Sequence, residues 1–456
     1  MCGERPYSVE EGVIRLSRDD VQWSGIRFLD PLCRACSHDG VWYKAILPGA
    51  EEAVRALMAT GLYDRLAGEG LLAPVQEAEV CIEGFDLVLR QHSEAYDVPA
   101  RCWPTLQLRD ACLAYLRLNE VLAEYGLGCI DGHTGNFVVQ AADRPVWCDI
   151  GSFVPVGARD VAGLEEFVSS MLYPLLLRVQ GPEWETVMRQ GVSSGFPRTV
   201  LERMTGVSLT LGGTRRDMLR QLADYVQGLR FTWPDGVWGE YHTDDDLAAQ
   251  PPQAHEDPLR AFAQSSRLEM VNRLVRLVGP RTVVDLGANA GFFSNLAASA
   301  GAEVLAVEPD DQAASRYHAA LARRGGDVRV KVRVEGVGDA PGKRGELVMA
   351  LALTHHLYFT HRYRLPIAAR ALAEHSEGAL LTEFMPNGMG GTVPSPDPLP
   401  ADYRLETFTD ELARYFSRVE VIDYPMPAGH AKRVMVLCTG RLPRAITDTL
   451  TPDLGA

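Results

Sequence analysis

No run of roughly eighteen uncharged apolar residues occurs in the chain, which gives no reason to expect a membrane-spanning helix or a membrane partner. Basic charge is in deficit. Lys and Arg number 45 against 60 Asp and Glu, a formal net charge of −15. A phosphate-backbone partner requires a cationic face, so nucleic acid is not an expected partner. The opening residues, MCGERPYSVEEG, lack a basic-then-apolar leader pattern, and a cytoplasmic location is expected. There is no internal repeat and no long low-complexity tract. Cys33-x-x-Cys36, followed by His38, has no second cysteine pair to complete the roughly four ligands of a zinc site. These two are read as loop cysteines, and no metal is expected. Cys81, Cys112, Cys129, Cys148 and Cys438 sit beside apolar residues, as reduced packing cysteines do.

What is present is a globular composition, 46% hydrophobic and 23% charged over 456 residues, enough for about two to four domains. The clearest break is Asp244–Asp246, then Gln250–Gln253, then His255–Pro258. An acidic, proline-bearing stretch does not hold a buried helix or central strand, so a connection is expected at 243–257. The expected organisation is a first domain over 1–230, a lead-in and linker over 231–257, a second domain over 258–445 and a tail over 446–456.

In the second half, Thr282-Val283-Val284 reads as a strand ending in Asp285. Gly287, Asn289 and Gly291 follow, and then an apolar helical stretch. Strand, glycine turn and helix together bring a cofactor close to backbone that side chains would otherwise block. Glycine spacing is shared with dinucleotide sites. The form Asp-Leu-Gly-x-Asn-x-Gly, however, resembles the first motif of class I S-adenosylmethionine (SAM) methyltransferases. A second strand, Glu303–Val307, ends in Glu308, 21 positions after Gly287. An acidic residue there accepts the protons of both ribose hydroxyls. A helix, Gln312–Arg324, leads to a third strand, Val328–Val334. Glu335 and Asp339 follow, and either meets the adenine amino group.

A fourth strand, Glu346–Leu353, ends in Thr354-His355-His356. Chemistry in open α/β sheets gathers at the carboxyl ends of strands, so His355 or His356 is expected to act as general base. A fifth strand, Ala379–Thr382, ends in Glu383, a second candidate for acceptor binding or proton transfer. Gly388–Pro400, rich in glycine and proline, is placed as a lid or acceptor loop. Val419–Asp423 and Arg433–Cys438 make a final antiparallel pair. Leu347–Leu357 and Leu381–Pro386 resemble a family of two-part bacterial class I SAM methyltransferases, some labelled nodulation-associated, which also carries a segment like Trp238–Tyr241. The resemblance implies methyl transfer and SAM as cofactor but does not give the acceptor; a small molecule of specialised metabolism, antibiotic biosynthesis included, is expected from the family's two-part design.

In the first half, Val41-Trp42-Tyr43-Lys44 ends a β-rich run, and Thr105–Tyr125 has helical periodicity. Asp131 stands five positions before Asn136, and Asp149-Ile-Gly follows thirteen positions later. That order resembles protein-kinase-like folds, and Asp131–Asn136 looks most like the catalytic loop of small-molecule phosphotransferases. The resemblance implies that Lys44 steadies phosphates, Asp131 accepts a hydroxyl proton, and Asn136 and Asp149 hold Mg²⁺. There are departures. Cys129-Ile130 stands where a kinase has His-Arg. No Gly-x-Gly-x-x-Gly precedes Lys44, where Asp30–Gly40 is read as a loop. Glu51 and Glu52 are the nearby glutamates. Val161–Arg178 reads as one buried helix and Thr199–Leu229 as further helices.

The expected fold is an α/β Rossmann-like methyltransferase domain with a mostly parallel seven-stranded sheet, behind an α+β kinase-like domain that positions substrate. Two alternatives stay open: a bifunctional enzyme that also binds ATP and Mg²⁺, and a SAM-binding scaffold without catalysis. Oligomeric state is not legible.

Overall fold

The computed structural model describes residues 14–24, 32–91, 98–233, 266–338, 344–388, 398–424 and 432–443. Asp339, Trp238–Tyr241, the connection at 243–257, residues 389–397 of the expected acceptor loop and the tail at 446–456 lie outside the described residues. The chain divides into two compact units. One comprises Met1–Gln140 and Arg144–Pro234; the other comprises Ala141–Asp143 and Asp235–Ala456.

The first unit opens with β1 (Ile14–Leu16), β2 (Gln22–Trp23), β3 (Cys33–His38), β4 (Val41–Ile46), β5 (Val75–Glu77), β6 (Val80–Ile82) and β7 (Val88–Gln91). Five of these form a sheet in the order β2-β3-β4-β7-β5, every pairing antiparallel. The stretch Asp30–Gly40, expected as a loop, is therefore largely strand. Its sequence hides this because buried Cys33 and Cys36 stand three apart among polar Arg34, Ser37 and His38, without the period of two that marks a half-buried strand. Asp39-Gly40, both with positive φ (47° and 77°), makes the two-residue turn that such a hairpin requires. Cys33 and Cys36 are strand residues, not loop residues, and both are fully buried. Three positions apart on a strand, they point to opposite faces and do not form a ligand pair.

The helix Thr105–Glu124 follows, then β8 (Leu127–Cys129), β9 (Phe137–Gln140), β10 (Arg144–Trp147) and β11 (Phe153–Pro155) in two small antiparallel ladders. Tyr115 of the long helix stacks on Phe167 with ring centroids 5.1 Å apart and meets Trp147 at 5.5 Å. Large apolar side chains buried this way each add roughly 1.5–3 kcal/mol. The helix expected from Val161 begins at Leu164, because Gly163 is left-handed (φ 75°). It contains a π-helical turn, Val168–Leu172, before continuing over Tyr173–Gln180. Helices Arg198–Thr205 and Arg215–Gly228 come later in the unit.

The second unit is built on one sheet of seven strands: β12 (Thr282–Leu286), β13 (Glu303–Val307), β14 (Val330–Arg333), β15 (Gly345–Ala350), β16 (Ser376–Phe384), β17 (Phe416–Asp423) and β18 (Val434–Arg441). The order is β14-β13-β12-β15-β16-β18-β17. The first five strands pair in parallel, and β18 runs antiparallel to both its neighbours. This is the mostly parallel sheet with a closing antiparallel pair expected from the sequence. The central strands read TVVDL, EVLAV and GELVMA, near-continuous apolar runs, because helices cover parallel strands on both faces. The fifth strand is longer than the sequence suggested, so Glu383 lies inside it rather than after it.

Candidate active site

In the second unit, register decides what meets at the carboxyl edge. Leu286 pairs with Val307, so Gly287 and Glu308 leave the sheet side by side. The N–H groups of Gly287 and Ala288 both donate to the Val307 carbonyl, at 2.8 and 3.1 Å. Gly287, Asn289 and Gly291 all have positive φ (73°, 49° and 77°). That conformation suits glycine and is tolerated by asparagine. The helix Phe292–Ser299 starts directly from this turn.

The Glu308 carboxylate accepts from the Asn289 N–H at 2.7 Å and from the Asp310 N–H at 2.9 Å. Each oxygen keeps a further lone pair for a hydroxyl. Burial pushes Glu308 up to about 7, against the pull of those two backbone hydrogen bonds. Asp285, buried at the end of β12, accepts from Ser294 Oγ at 2.6 Å. Burial raises it to about 6. A Cβ on Gly287 would stand 3.3 Å from Leu353 Cδ1, so Leu353 flanks the turn from the end of β15. Glu335 follows β14, and its carboxylate is paired with the Arg333 guanidinium.

His355 and His356 lie on the short helix Thr354–Phe359 after β15. Thr354 Oγ1 is 3.2 Å from Thr382 Oγ1, which fixes this helix on β16 one residue before Glu383. The two imidazoles lie against each other, centroids 4.0 Å apart. Burial first, then the neighbouring His356 and Arg433, hold His355 down at about 2. Burial, then His361 and Arg433, hold His356 at about 4. Both rings are therefore neutral near pH 7.

Glu383 is fully buried and heavily engaged. Its Oε1 accepts from Arg267 Nε at 2.8 Å and from Tyr424 Oη at 2.6 Å. Its Oε2 accepts from Arg267 Nη2 and lies 3.7 Å from Arg433 Nη1. Burial alone would raise its pKa, but the two guanidinium groups and the phenol outweigh it and hold Glu383 at about 2. A carboxylate so held is an anchor for arginines. Arg267, Arg433 and Tyr424 were not singled out from the sequence. Arg267 is 116 positions from Glu383, and only the fold brings them together. The Arg267 guanidinium also lies over the Phe293 ring, 4.9 Å from its centroid, in the first turn of the helix that follows the glycine turn.

A cleft of about 630 Å³, walled by Arg281, Thr282, Glu303 and Glu346 among others, opens at the opposite, amino-terminal edge of the strands. Ion pairs between Arg281 and Glu346 and between Arg329 and Glu303 occupy its charged groups. Glu308, His355 and His356 follow the strands at their other edge.

In the first unit, Lys44 on β4 is 3.6 Å from Asp149 Oδ1, and both are largely buried. Asp149 also accepts from the Gly151 N–H at 3.2 Å. The Cys148 N–H donates to the Asn136 carbonyl at 2.8 Å, which sets Asn136 beside the strand that delivers Asp149. Asp131 is half-buried, and the next residue, Gly132, donates its N–H to Glu166 at 2.8 Å. Glu51 accepts from the Gly49 N–H, so its carboxylate closes the turn into its own helix. Among the described residues, no group of three or more His, Cys, Asp or Glu is arranged to hold a metal ion, and no helix is long and apolar enough to cross a membrane.

No protein-family model matches the chain. The chain is similar to Nodulation protein NoeA of Rhizobium meliloti (strain 1021), 24% identical over 79% of this chain and 86% of that protein. The likeness to a nodulation-labelled family, read from the motifs, thus extends along most of the sequence. Among solved structures, the chain is similar to WbdD, described as a bifunctional kinase-methyltransferase: 24% identity, 42% of each chain, TM-score 0.31. A monomeric WbdD structure matches at 22% identity, 45% of each chain and TM-score 0.29. The chain spans less than half the length of these WbdD chains. Magnesium protoporphyrin IX methyltransferase (ChlM) from Synechocystis PCC 6803 with bound SAM matches at 14% identity, covering 44% of this chain and 89% of that one, TM-score 0.30.

Proposed function

We propose that the second unit is a SAM-dependent methyltransferase acting on a small-molecule acceptor. The observation that carries this is the turn Gly287–Gly291 hydrogen-bonded to the Glu308 carboxylate across the ends of adjacent parallel strands. The turn offers backbone without bulk, and Glu308 offers acceptor lone pairs to ribose hydroxyls. These groups fit SAM. Glu308 would hold the ribose hydroxyls, and the turn, with Leu353 beside Gly287, would take the cofactor against bare backbone. Glu335, after the third strand and paired with Arg333, would be the residue nearest in sequence to meet the adenine. When bound, the cofactor supplies a methyl group on a cationic sulfonium.

The chain's own contribution is alignment and proton handling. His355 and His356 sit at the end of the fourth strand as neutral rings, and one of them takes the acceptor's proton as its oxygen or nitrogen is methylated; His356, held at about 4, suits that task better than His355, held at about 2. Glu383 does not take that proton. Its part is to hold Arg267 and Arg433, whose charges reach His355, with Tyr424 completing its hydrogen bonds. Calorimetric titration of the full chain with SAM tests the reading. Micromolar binding is expected, with Glu308→Ala weaker by roughly 1–3 kcal/mol for the lost charge-assisted hydrogen bonds. No binding by the unaltered chain would remove the reading. Tight binding with no acceptor ever methylated would favour a scaffold.

A second reading rests on the Lys44–Asp149 pair. Lysine on a central strand, facing the aspartate of Asp-x-Gly with Asn136 beside it, is an arrangement that takes a nucleotide triphosphate and Mg²⁺. On this reading the first unit is kinase-like and the chain is bifunctional.

A further inference from the structure

The left-handed backbone at residue 291 favours glycine, and a second constraint acts at the same position. A Cβ built there would lie 1.9, 2.1 and 2.2 Å from three ring atoms of Tyr317, contacts no side chain survives. Tyr317 lies on the helix Asp311–Arg324, which leaves directly from Glu308 through the Asp310 N-cap. The ring is 1% exposed, and its hydroxyl-bearing end fills the space that a Cβ of residue 291 would enter. Its hydroxyl donates to Asn295 Oδ1 at 3.1 Å, one turn further along the helix that starts at the turn. The neighbouring Ser294 donates to Asp285, at the end of β12. Tyr317 therefore touches the exit of the turn, and its own helix carries Glu308 at its base.

We propose that Tyr317 is a positioning residue of the cofactor site. Its ring supports the left-handed backbone at Gly291, and through it the whole turn. The Gly291 N–H donates to the Ala288 carbonyl at 2.9 Å, and the Asn289 N–H reaches Glu308 at 2.7 Å. The height of the ring under Gly291 thus sets the distance between the turn and the carboxylate that accepts the ribose. Glycine at 291 is favoured by its left-handed backbone and is required a second time by this ring. Tyr317 touches no reacting atom and acts through the turn. The proposal rests on the SAM reading of the turn.

The test is SAM titration of the full chain, with thermal unfolding recorded for each variant. Tyr317→Phe keeps the ring and should bind SAM within about threefold of the unaltered protein. Tyr317→Leu keeps apolar bulk, and so folding, but removes the ring; it should bind at least about tenfold more weakly. Gly291→Ala drives a methyl group into the ring and should lose at least as much. The decisive variant is Gly291→Ala with Tyr317→Leu. The strain of alanine at positive φ is common to the single and the double, so it cancels in the cycle. Better SAM binding by the double than by Gly291→Ala alone is expected. Additive losses, or a folded Tyr317→Leu variant that binds SAM as the unaltered protein does, overturn the proposal while leaving SAM binding intact. An unaltered chain that takes up no SAM overturns the cofactor reading and this proposal with it.

Discussion

Replacing Glu383 by glutamine separates an anchor from a proton acceptor. The substitution keeps the shape and removes the charge, leaving Arg267 and Arg433 buried against a neutral amide. Breaking a buried ion pair from one side costs roughly 3–5 kcal/mol. The pKa leads to the same range: holding the carboxyl at about 2 rather than the usual 4.5 corresponds to about 3 kcal/mol. Because the folded pKa is depressed, that stability is present above the ordinary value and is lost as pH falls towards 2. For a unit of this size each kcal/mol moves the midpoint by roughly 2–4 °C, so the second unit should melt on the order of 10 °C lower at pH 7. Calorimetry is the suitable assay. Six of the seven tryptophans, Trp23, Trp42, Trp103, Trp147, Trp184 and Trp233, precede the second unit, so fluorescence reports mainly on the first. Adding Arg267→Gln should restore at least about 1 kcal/mol relative to the sum of the single losses, since the two groups share one interaction. A Glu383→Gln protein that melts like the unaltered one would refute the anchor role and return Glu383 to the list of proton acceptors.

Two further outcomes are expected. Glu308 is raised to about 7 in the folded chain, so its contribution to stability is full below the ordinary carboxyl range and is lost as pH rises through 7. Without SAM, Glu308→Gln should therefore gain on the unaltered protein between pH 5 and 8. The difference between the two melting curves isolates this group from Asp285, which shifts the same way, and from His355 and His356, which shift the other way; a difference that stays flat with pH would refute the assignment. In the first unit, Mg-ATP should raise the tryptophan-reported melting point, and Asp149→Asn should abolish the rise. No rise in the unaltered chain would end the phosphotransfer reading.

The legible parts of this protein are those whose physics is local. Asp-Leu-Gly-x-Asn-x-Gly after a β-branched run specifies a strand and a left-handed turn through backbone sterics alone, and residues 282–291 form both. The apolar runs of β12, β13 and β15 state that these strands are covered on two faces. The helix Thr105–Glu124 follows from periodicity. Where local signals conflicted, the sequence misled. Cys33–His38, with polar Arg34, Ser37 and His38 and no alternation of apolar and polar residues, looked like a loop but is a strand. Gly163 cut short the start of a helix that hydrophobicity alone extends to Val161.

What the sequence could not state is the chemistry of groups that meet across long separations. Glu383 read as a strand-end carboxylate free for catalysis. The fold runs the strand one residue past it and brings Arg267, Tyr424 and Arg433 onto its two oxygens. Gly291 read as room for a cofactor. The fold fills the space beneath it with Tyr317, and neither residue type nor spacing announces that a ring will lie there. Backbone conformation depends on a residue and its neighbours, and so is written along the chain. Burial, pairing and protonation depend on which distant side chains share a volume, and only the assembled sheet decides that.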